Sequence, residues 1–491
     1  MEARFKMRTC LLIQPMIRAL FPVWILSVCV AHAATVQPVT PPSGSMTLPS
    51  LPSRLTLQEA EDYALAHQPV LAASELRAAA VTETVYEARS QFFPQLQANA
   101  VAVKSLNDSS RLTAISGISD PTILTRQSDG GTISQLITDF GRTYFLTRSA
   151  RSNALSAAER TDLAREDTLF RVDQAYFTVQ GAQALLEVAN QTVSTNQVLV
   201  DRVKALAKAS LKSSLDVSFQ QVTYAQARLF QLQARARQEE AFAELSAAMG
   251  LGRKAEFTLE PMPLDPLPEG ESGPLIAEAW AYRPDLLAAR AERDAAMEFA
   301  KAERAAHLPV ISAQAAGGFN PGTANKDLPQ NYGAAGVNVS LPVFTGGLLT
   351  AHQKEAALQA QAAKKDLAEL ETEAARDVYD AWIDAKTAYE GISVSDELLA
   401  SANQAFQLAQ SQYEVGTSSI VELSQADLQQ IQAQITAATA RFDYQVRRRV
   451  LDLQTGALGR QDVIHNELGR AVGQYPKRGT TSGKVTLPSH N

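Results

Sequence analysis

Two short stretches carry the residues best placed to act. "YEVGTSSIVEL" (413–423) sets an aromatic hydroxyl, a glycine, three small hydroxyl residues and a carboxylate in one run. "AKASLKSSLDV" (207–217) repeats that order 206 residues earlier, with Asp216 in the place of Glu422. A carboxylate in a first helical turn answers the partial positive charge of the helix N-terminus. Little else in the chain is chemically suggestive. His67, His307, His352, His465 and His490 stand singly, with no pair at ligand spacing, so no metal is expected. No nucleophile–base pair or phosphate loop occurs, so neither an enzyme nor a cofactor is expected.

The N-terminus reads as a targeting segment. Arg4, Lys6, Arg8 and Arg18 precede the apolar run "ALFPVWILSVCV" and the small-residue site "AHA". That is a secretory signal peptide over 1–33, its apolar core too short for the ~20 residues of a membrane span. Val28 before Cys29 argues against lipid attachment. Cleavage removes Cys10 and Cys29, both cysteines of the chain, so no disulfide is expected. It also removes four basic residues and one acidic one, taking the net charge from −7 to −10. With no basic stripe, nucleic acid is not an expected partner.

The breaks must be positioned by long elements. A proline-rich leader (34–53) and a proline-rich linker (252–273) bracket a first repeat (54–251), and a second repeat (274–458) is followed by a flexible tail (459–491). "QPVLAASELRAAA" aligns with "RPDLLAARAERDA", placing Pro69 on Pro284, and "FFPQLQANA" aligns with "HLPVISAQA". From Gly141/Gly347 onward the offset is a constant 206. Val172, Val179, Leu186, Val193 and Val200 recur every seven residues, beside the small series Ala175, Ala182, Ala189. Their counterparts are Val378, Ala385, Ile392, Leu399 and Phe406, beside Ala381, Ala388 and Ala402. This is coiled-coil spacing, and 142–209 as one helix spans roughly 100 Å, which implies a long rod or tube. Gly416 suits the left-handed residue that ends such a helix, and Thr417, Ser418 or Ser419 can cap the next. Each repeat is then a helical hairpin whose tip is the break.

The opposite end alternates with period two. Val337, Val339, Leu341 and Val343 interleave with Gly336, Asn338, Ser340 and Pro342. Strands are expected at about 94–106, 127–138, 309–319 and 332–343, near the ~9–11 residues of a membrane-spanning strand. Phe92, Phe93, Phe140, Tyr144 and Phe344 flank them on the helix side, and Phe319 and Tyr332 on the loop side, which resembles two aromatic girdles. Four strands cannot close a barrel, and an open edge in lipid leaves backbone groups unpaired. Several chains must share the barrel. The fold class is mainly α with a membrane β part.

Signal peptide, duplicated helix–strand–strand–hairpin unit and "YEVGTSSIVEL" followed by "QADLQQIQAQ" together resemble the TolC family of outer-membrane efflux proteins, over about 55–458. The resemblance implies a homotrimer with a shared twelve-stranded barrel and an α-barrel tunnel across the periplasm of a Gram-negative-type bacterium. It implies a channel of tripartite efflux or type I secretion, served by a periplasmic adaptor and an inner-membrane pump of RND, ABC or MFS type that chooses the cargo. Glu422 matches the family's acidic gate residue, Gln425 falls where some members carry a second acid, and Asp216 is the counterpart in the first repeat. Tyr413 matches a residue that helps hold the entrance shut, and Ser418 stands where some members have the latch arginine. Ser210, Leu211, Gly416 and Thr417 match the tips that meet the adaptor. A periplasmic coiled-coil adaptor or scaffold would share the heptads but needs no amphipathic strands. A diffusion porin needs more strands and more than 7% aromatics.

Overall fold

The structure is a computed structural model that describes residues 54–103, 126–267, 270–323 and 331–459. The signal peptide, the leader and the tail beyond 459 lie outside the described residues, as do 104–106 of the first expected strand.

The elements run β1 (Arg54–Leu55), α1 (Leu57–His67), α2 (Pro69–Ser90), β2 (Gln95–Val103), β3 (Arg126–Thr138), α3 (Arg142–Lys208) and α4 (Ser214–Ala248). They continue β4 (Thr258–Leu259), α5 (Ser272–Tyr282), α6 (Pro284–Ala305), β5 (Val310–Thr323), β6 (Asn331–Ser340), α7 (Leu348–Val415) and α8 (Ile420–Thr455). The second half repeats the first nearly residue for residue. Helices of 11, 22, 67 and 35 residues answer helices of 11, 22, 68 and 36. The start signals are duplicated too. Pro69 and Pro284 open α2 and α6, where a missing N–H costs nothing. Gly141 (φ 95°) and Gly347 (φ 87°) swing the chain from the sheet into α3 and α7 in left-handed backbone.

The long helices pack along heptad seams, with one correction. Val172, Ala175, Val179, Ala182, Ala189 and Val200 are buried as expected, and the small series runs on unbroken to Asn196 and Val203, but the other series moves to Leu185, Thr192 and Leu199. Leu186 and Val193 are only half-buried. A straight helix drifts against a strict seven-residue repeat, and the three-residue step from 182 to 185 shifts that one series by one position. Two buried tyrosines tie the helices to the connecting segments. Tyr176 Oη donates to the carbonyls of Leu55 (3.0 Å) and Glu260 (2.7 Å), holding the β1–β4 ladder. Tyr444 Oη donates to the Asp265 carbonyl at 2.7 Å.

The four longer strands form one antiparallel sheet in the order β2-β3-β5-β6, so β2 and β6 are its edges. Their bounds differ from the expected ones at several ends. β5 reaches Thr323, and β6 stops at Ser340 because Pro342 has no N–H to give the ladder. Pairing sets Leu96 beside Ile133, Ile133 beside Ala315, and Ala313 beside Val337 on one face. Gln97, Thr132, Ser134, Gln314 and Asn338 occupy the other, where they line an open cavity of about 520 Å³. Among the described residues no helix is long and apolar enough to cross a membrane.

Candidate functional site

Both tips are built by the same backbone device. α7 ends at Gly416 (φ 83°), whose conformation lets the Thr417 N–H reach back to the Gln412 carbonyl at 2.9 Å. α3 ends at Ser210, which takes the same left-handed conformation (φ 60°) without being glycine, and the Leu211 N–H reaches the Leu206 carbonyl at 2.9 Å. Ser210, Leu211, Gly416 and Thr417 are exposed at the two turns. The next helices start with matched capping boxes. The Asp216 and Glu422 N–H groups donate to Ser213 Oγ and Ser419 Oγ, both at 3.2 Å, and each carboxylate accepts the N–H of its serine at 3.0 Å.

Of the three hydroxyl residues at 417–419, Ser419 is therefore the cap. Ser418 has a different task, donating its hydroxyl to Glu422 Oε2 at 2.5 Å. These bonds, that of Ser418 first, hold the Glu422 carboxyl below its usual range while leaving it fully exposed to water. Gln425, one turn on, is also exposed. Tyr413 lies inward instead. Its ring is 3% exposed in a cluster with Leu199, Val203, Phe406, Ile420 and Leu423 that joins the hairpins of the two repeats. Burial, and then the nearby Asp216 charge, push its hydroxyl up to about 12. Among the described residues that hydroxyl has no hydrogen-bond partner.

The tips also hold residues that sequence reasoning passed over. Lys212 Nζ donates to the Tyr413 carbonyl at 2.8 Å and sits 3.9 Å from the centre of the Tyr413 ring. Arg202 on α3 pairs with Glu414 on α7. Farther along the seam, Gln220 Nε2 donates to Asn196 Oδ1 at 2.9 Å, beside Asp427, whose Oδ2 is buried and unpartnered. Burial pushes the Asp427 carboxyl up to about 6, and the Asn196 amide opposes the shift. Polar residues at heptad seam positions were the available signal for Asn196 and Asp427. The repeat offset was the signal for Lys212, which holds the place of Ser418 in the first repeat.

At the sheet end, Phe92, Phe140, Tyr144 and Phe344 are exposed near the helix junctions. Phe93 is exposed as well, beside a cavity of about 280 Å³ that it lines with Gln95, Ser134, Ser312 and Arg142. Tyr332 departs from the girdle expectation. It pairs with Gly318 on the polar face, its hydroxyl lying over Gly318 and Gly130. Strand alternation sends every second residue to the opposite face, whatever its side chain. Among the described residues no group of His, Cys, Asp or Glu is arranged to hold a metal ion.

Comparison with known proteins follows the duplication. A family model described as "Outer membrane efflux protein" matches residues 62–251 and 275–457. The chain is 25% identical to the outer membrane protein TolC of Vibrio cholerae, covering 85% of this chain and 94% of that one. It is 26% identical to protein CyaE of Bordetella pertussis, covering 88% and 89%. Among solved structures, a membrane protein from Pseudomonas aeruginosa superposes with a TM-score of 0.72 at 22% identity, covering 82% of this chain and 93% of that one, which shows a common fold.

Proposed function

The chain belongs to the outer membrane efflux protein family, an outer-membrane channel of efflux or secretion, and on that premise we propose how copies of it make the duct. Three chains close one twelve-stranded barrel, and their long hairpins close a helical tunnel below it. The carrying observation is the four-stranded sheet with one apolar face and two edges, β2 and β6, that no other strand of the described chain covers. In lipid such edges leave several backbone groups unpaired at several kcal/mol each, so closure by identical neighbours is the low-energy solution. Phe92, Phe140, Tyr144 and Phe344 mark the lower lipid boundary. The polar face carrying Gln97, Ser134, Gln314 and Asn338 becomes the wet lumen.

The tips form the entrance. Three Glu422 carboxylates around the axis make a cation-attracting ring, with Gln425 as an uncharged second ring and Asp216 as its counterpart on the first-repeat tip. Tyr413 and Ser418 belong to the gate. Ser210, Leu211, Gly416 and Thr417 meet a periplasmic adaptor, which couples the duct to an inner-membrane pump. Passage is passive, and no chemical step is assigned to the chain.

Membrane fractionation with chemical cross-linking tests the assembly. The protein should sediment with the outer membrane and cross-link to the mass of three chains. Recovery as a soluble periplasmic monomer would sink the channel reading and leave the coiled-coil scaffold. Planar-bilayer recording tests the gate: small cation-selective openings are expected, with selectivity lost in Glu422→Ala.

A further inference from the structure

A groove of about 390 Å³ runs over the middle of α3, between α4 and α8. Leu185, its floor residue nearest the tips, lies roughly 35 Å along α3 from Lys208, so the groove is separate from the entrance. The floor is apolar. Phe177, Gly181 and Leu185 form one stripe of α3, and Phe442 and Val446 of α8 stand beside it. The linker passes on another side of α3, where Tyr176 and Gln180 donate to the Glu260 carbonyl. The rim is acidic. Glu240 and Glu244, one turn apart on α4, are exposed and make no ion pair among the described residues. Asp443, on the α8 side, pairs with Arg447 at 3.0 Å. Among the residues lining the groove the single cation is Arg237. It can answer one of the two α4 carboxylates, and the other stays free.

The helix frame does not demand these residues. Gly181 keeps ordinary backbone in the interior of α3, where glycine costs stability relative to alanine. A Cβ there would meet Phe442 at 3.6 Å, an ordinary contact, so crowding does not require glycine. At the 206-residue offset the second repeat carries Thr387 for Gly181, and Val446 and Val450 for Glu240 and Glu244. Gly181 leaves space on the floor, and the two glutamates set charge above it. We propose that this groove is a binding site for a small amphipathic organic cation, its apolar body on the α3 and α8 floor and its positive group beside Glu240 and Glu244. The volume suits a small organic molecule. An apolar floor under a negative rim favours that class over anions, which the rim repels, and over inorganic cations, which gain nothing from the floor. The binding rests on the groove alone. That such a cation is cargo of the duct rests on the channel reading.

The test is equilibrium dialysis of tetraphenylphosphonium against the full-length purified protein. Tetraphenylborate, the same shape with the opposite charge, is the control. Wild type should bind the cation saturably and the borate about tenfold more weakly or worse. Glu240→Gln combined with Glu244→Gln keeps the shape and should weaken cation binding about tenfold. Gly181→Leu fills the floor and should abolish binding. If Gly181→Leu does not assemble, Gly181→Ala takes its place. It should raise Tm, as alanine does in a helix interior, while weakening binding severalfold. A merely structural glycine would not move stability and binding in opposite directions. Cation binding unchanged in the double glutamine variant or in the Gly181 variant, or equal binding of the borate, overturns the site. Thr178, exposed in the groove, supplies a further check. In Thr178→Cys the thiol should react with a water-soluble maleimide in the assembled protein. Protection that lasts until unfolding would mean that another chain covers the groove, and the site is again overturned. The bilayer recording stands apart from these outcomes. A protein that conducts without binding the cation loses the site and keeps the duct, and one that binds without conducting keeps the site and loses the duct.

Discussion

Ser418 donates its hydroxyl to Glu422 Oε2 at 2.5 Å, and the Ser419 N–H donates to the same oxygen at 3.0 Å. The carboxylate proposed for the entrance ring is thus also half of a helix cap. Its pKa lies below the usual carboxylate value, so the charge persists as pH falls through the ordinary range. Cation selectivity should accordingly hold from neutral pH down past the usual carboxylate range and fade only in stronger acid. Ser418→Ala removes the leading cause of the shift and should move that fade to higher pH. Reversal-potential measurements across a pH series follow both effects, and an unchanged profile in Ser418→Ala would remove the link.

Asp427 titrates in the opposite sense. Its carboxyl is 3% exposed against Asn196 and Gln220, and burial raises it from 3.8 to about 6. A raised folded-state pKa means that the contribution to stability is fully present below the unfolded value, near 4, and lost as pH rises through about 6. The tip seam should be tighter at pH 5 than at pH 7.5, by about 1.4 kcal/mol. Asp427→Asn, which resembles the protonated acid, should protect α8 at both pH values. Hydrogen exchange of α8 amides in wild type and variant reads this directly, and equal protection in wild type at the two pH values would refute it.

Gly318 should not tolerate a side chain. A Cβ there would lie 2.4 Å from the Asp129 carbonyl oxygen and 2.5 Å from Tyr332 Oη. The tyrosine could move, but the carbonyl belongs to the paired strand β3. Gly318→Ala should cost about 1–3 kcal/mol or more and lower the yield of assembled protein in the outer membrane. Adding Tyr332→Phe should not rescue it, because the backbone contact remains. Gel mobility of heated and unheated samples reports the assembled fraction.

Arg449 sits among three carboxylates, Asp173 at 3.4 Å, Asp265 at 3.5 Å and Asp452 at 3.7 Å, with Asp173 wholly buried. Replacing it by leucine strands those charges and should cost about 3–5 kcal/mol. Asp173 joins this group from α3 and Arg449 from α8, so the loss falls on the contact between the two repeats. Thermal unfolding should show a lowered Tm in Arg449→Leu and a smaller loss in Arg447→Leu, whose partners Asp384 and Asp443 are exposed.

The chain's own sequence determined the features that depend on local periodicity. The duplication, the paired helix breaks, the strands and the open-edged sheet follow from spacing repeated every 206 residues, every seven, and every two. Gly416 and the Ser–x–x–acid runs write the tips in local backbone chemistry, legible without a neighbour. Contacts between distant segments were decided only by the tertiary structure. One of the two seam series slipped one residue at Leu185 because helical twist accumulates over a length no short motif records. Lys212 found Tyr413 across 201 positions because two separate hairpins end at the same level. Tyr332 fell on the polar face because pleat parity, rather than side-chain character, sets which way a strand residue points. Periodicity names the elements, and packing chooses which of their side chains meet.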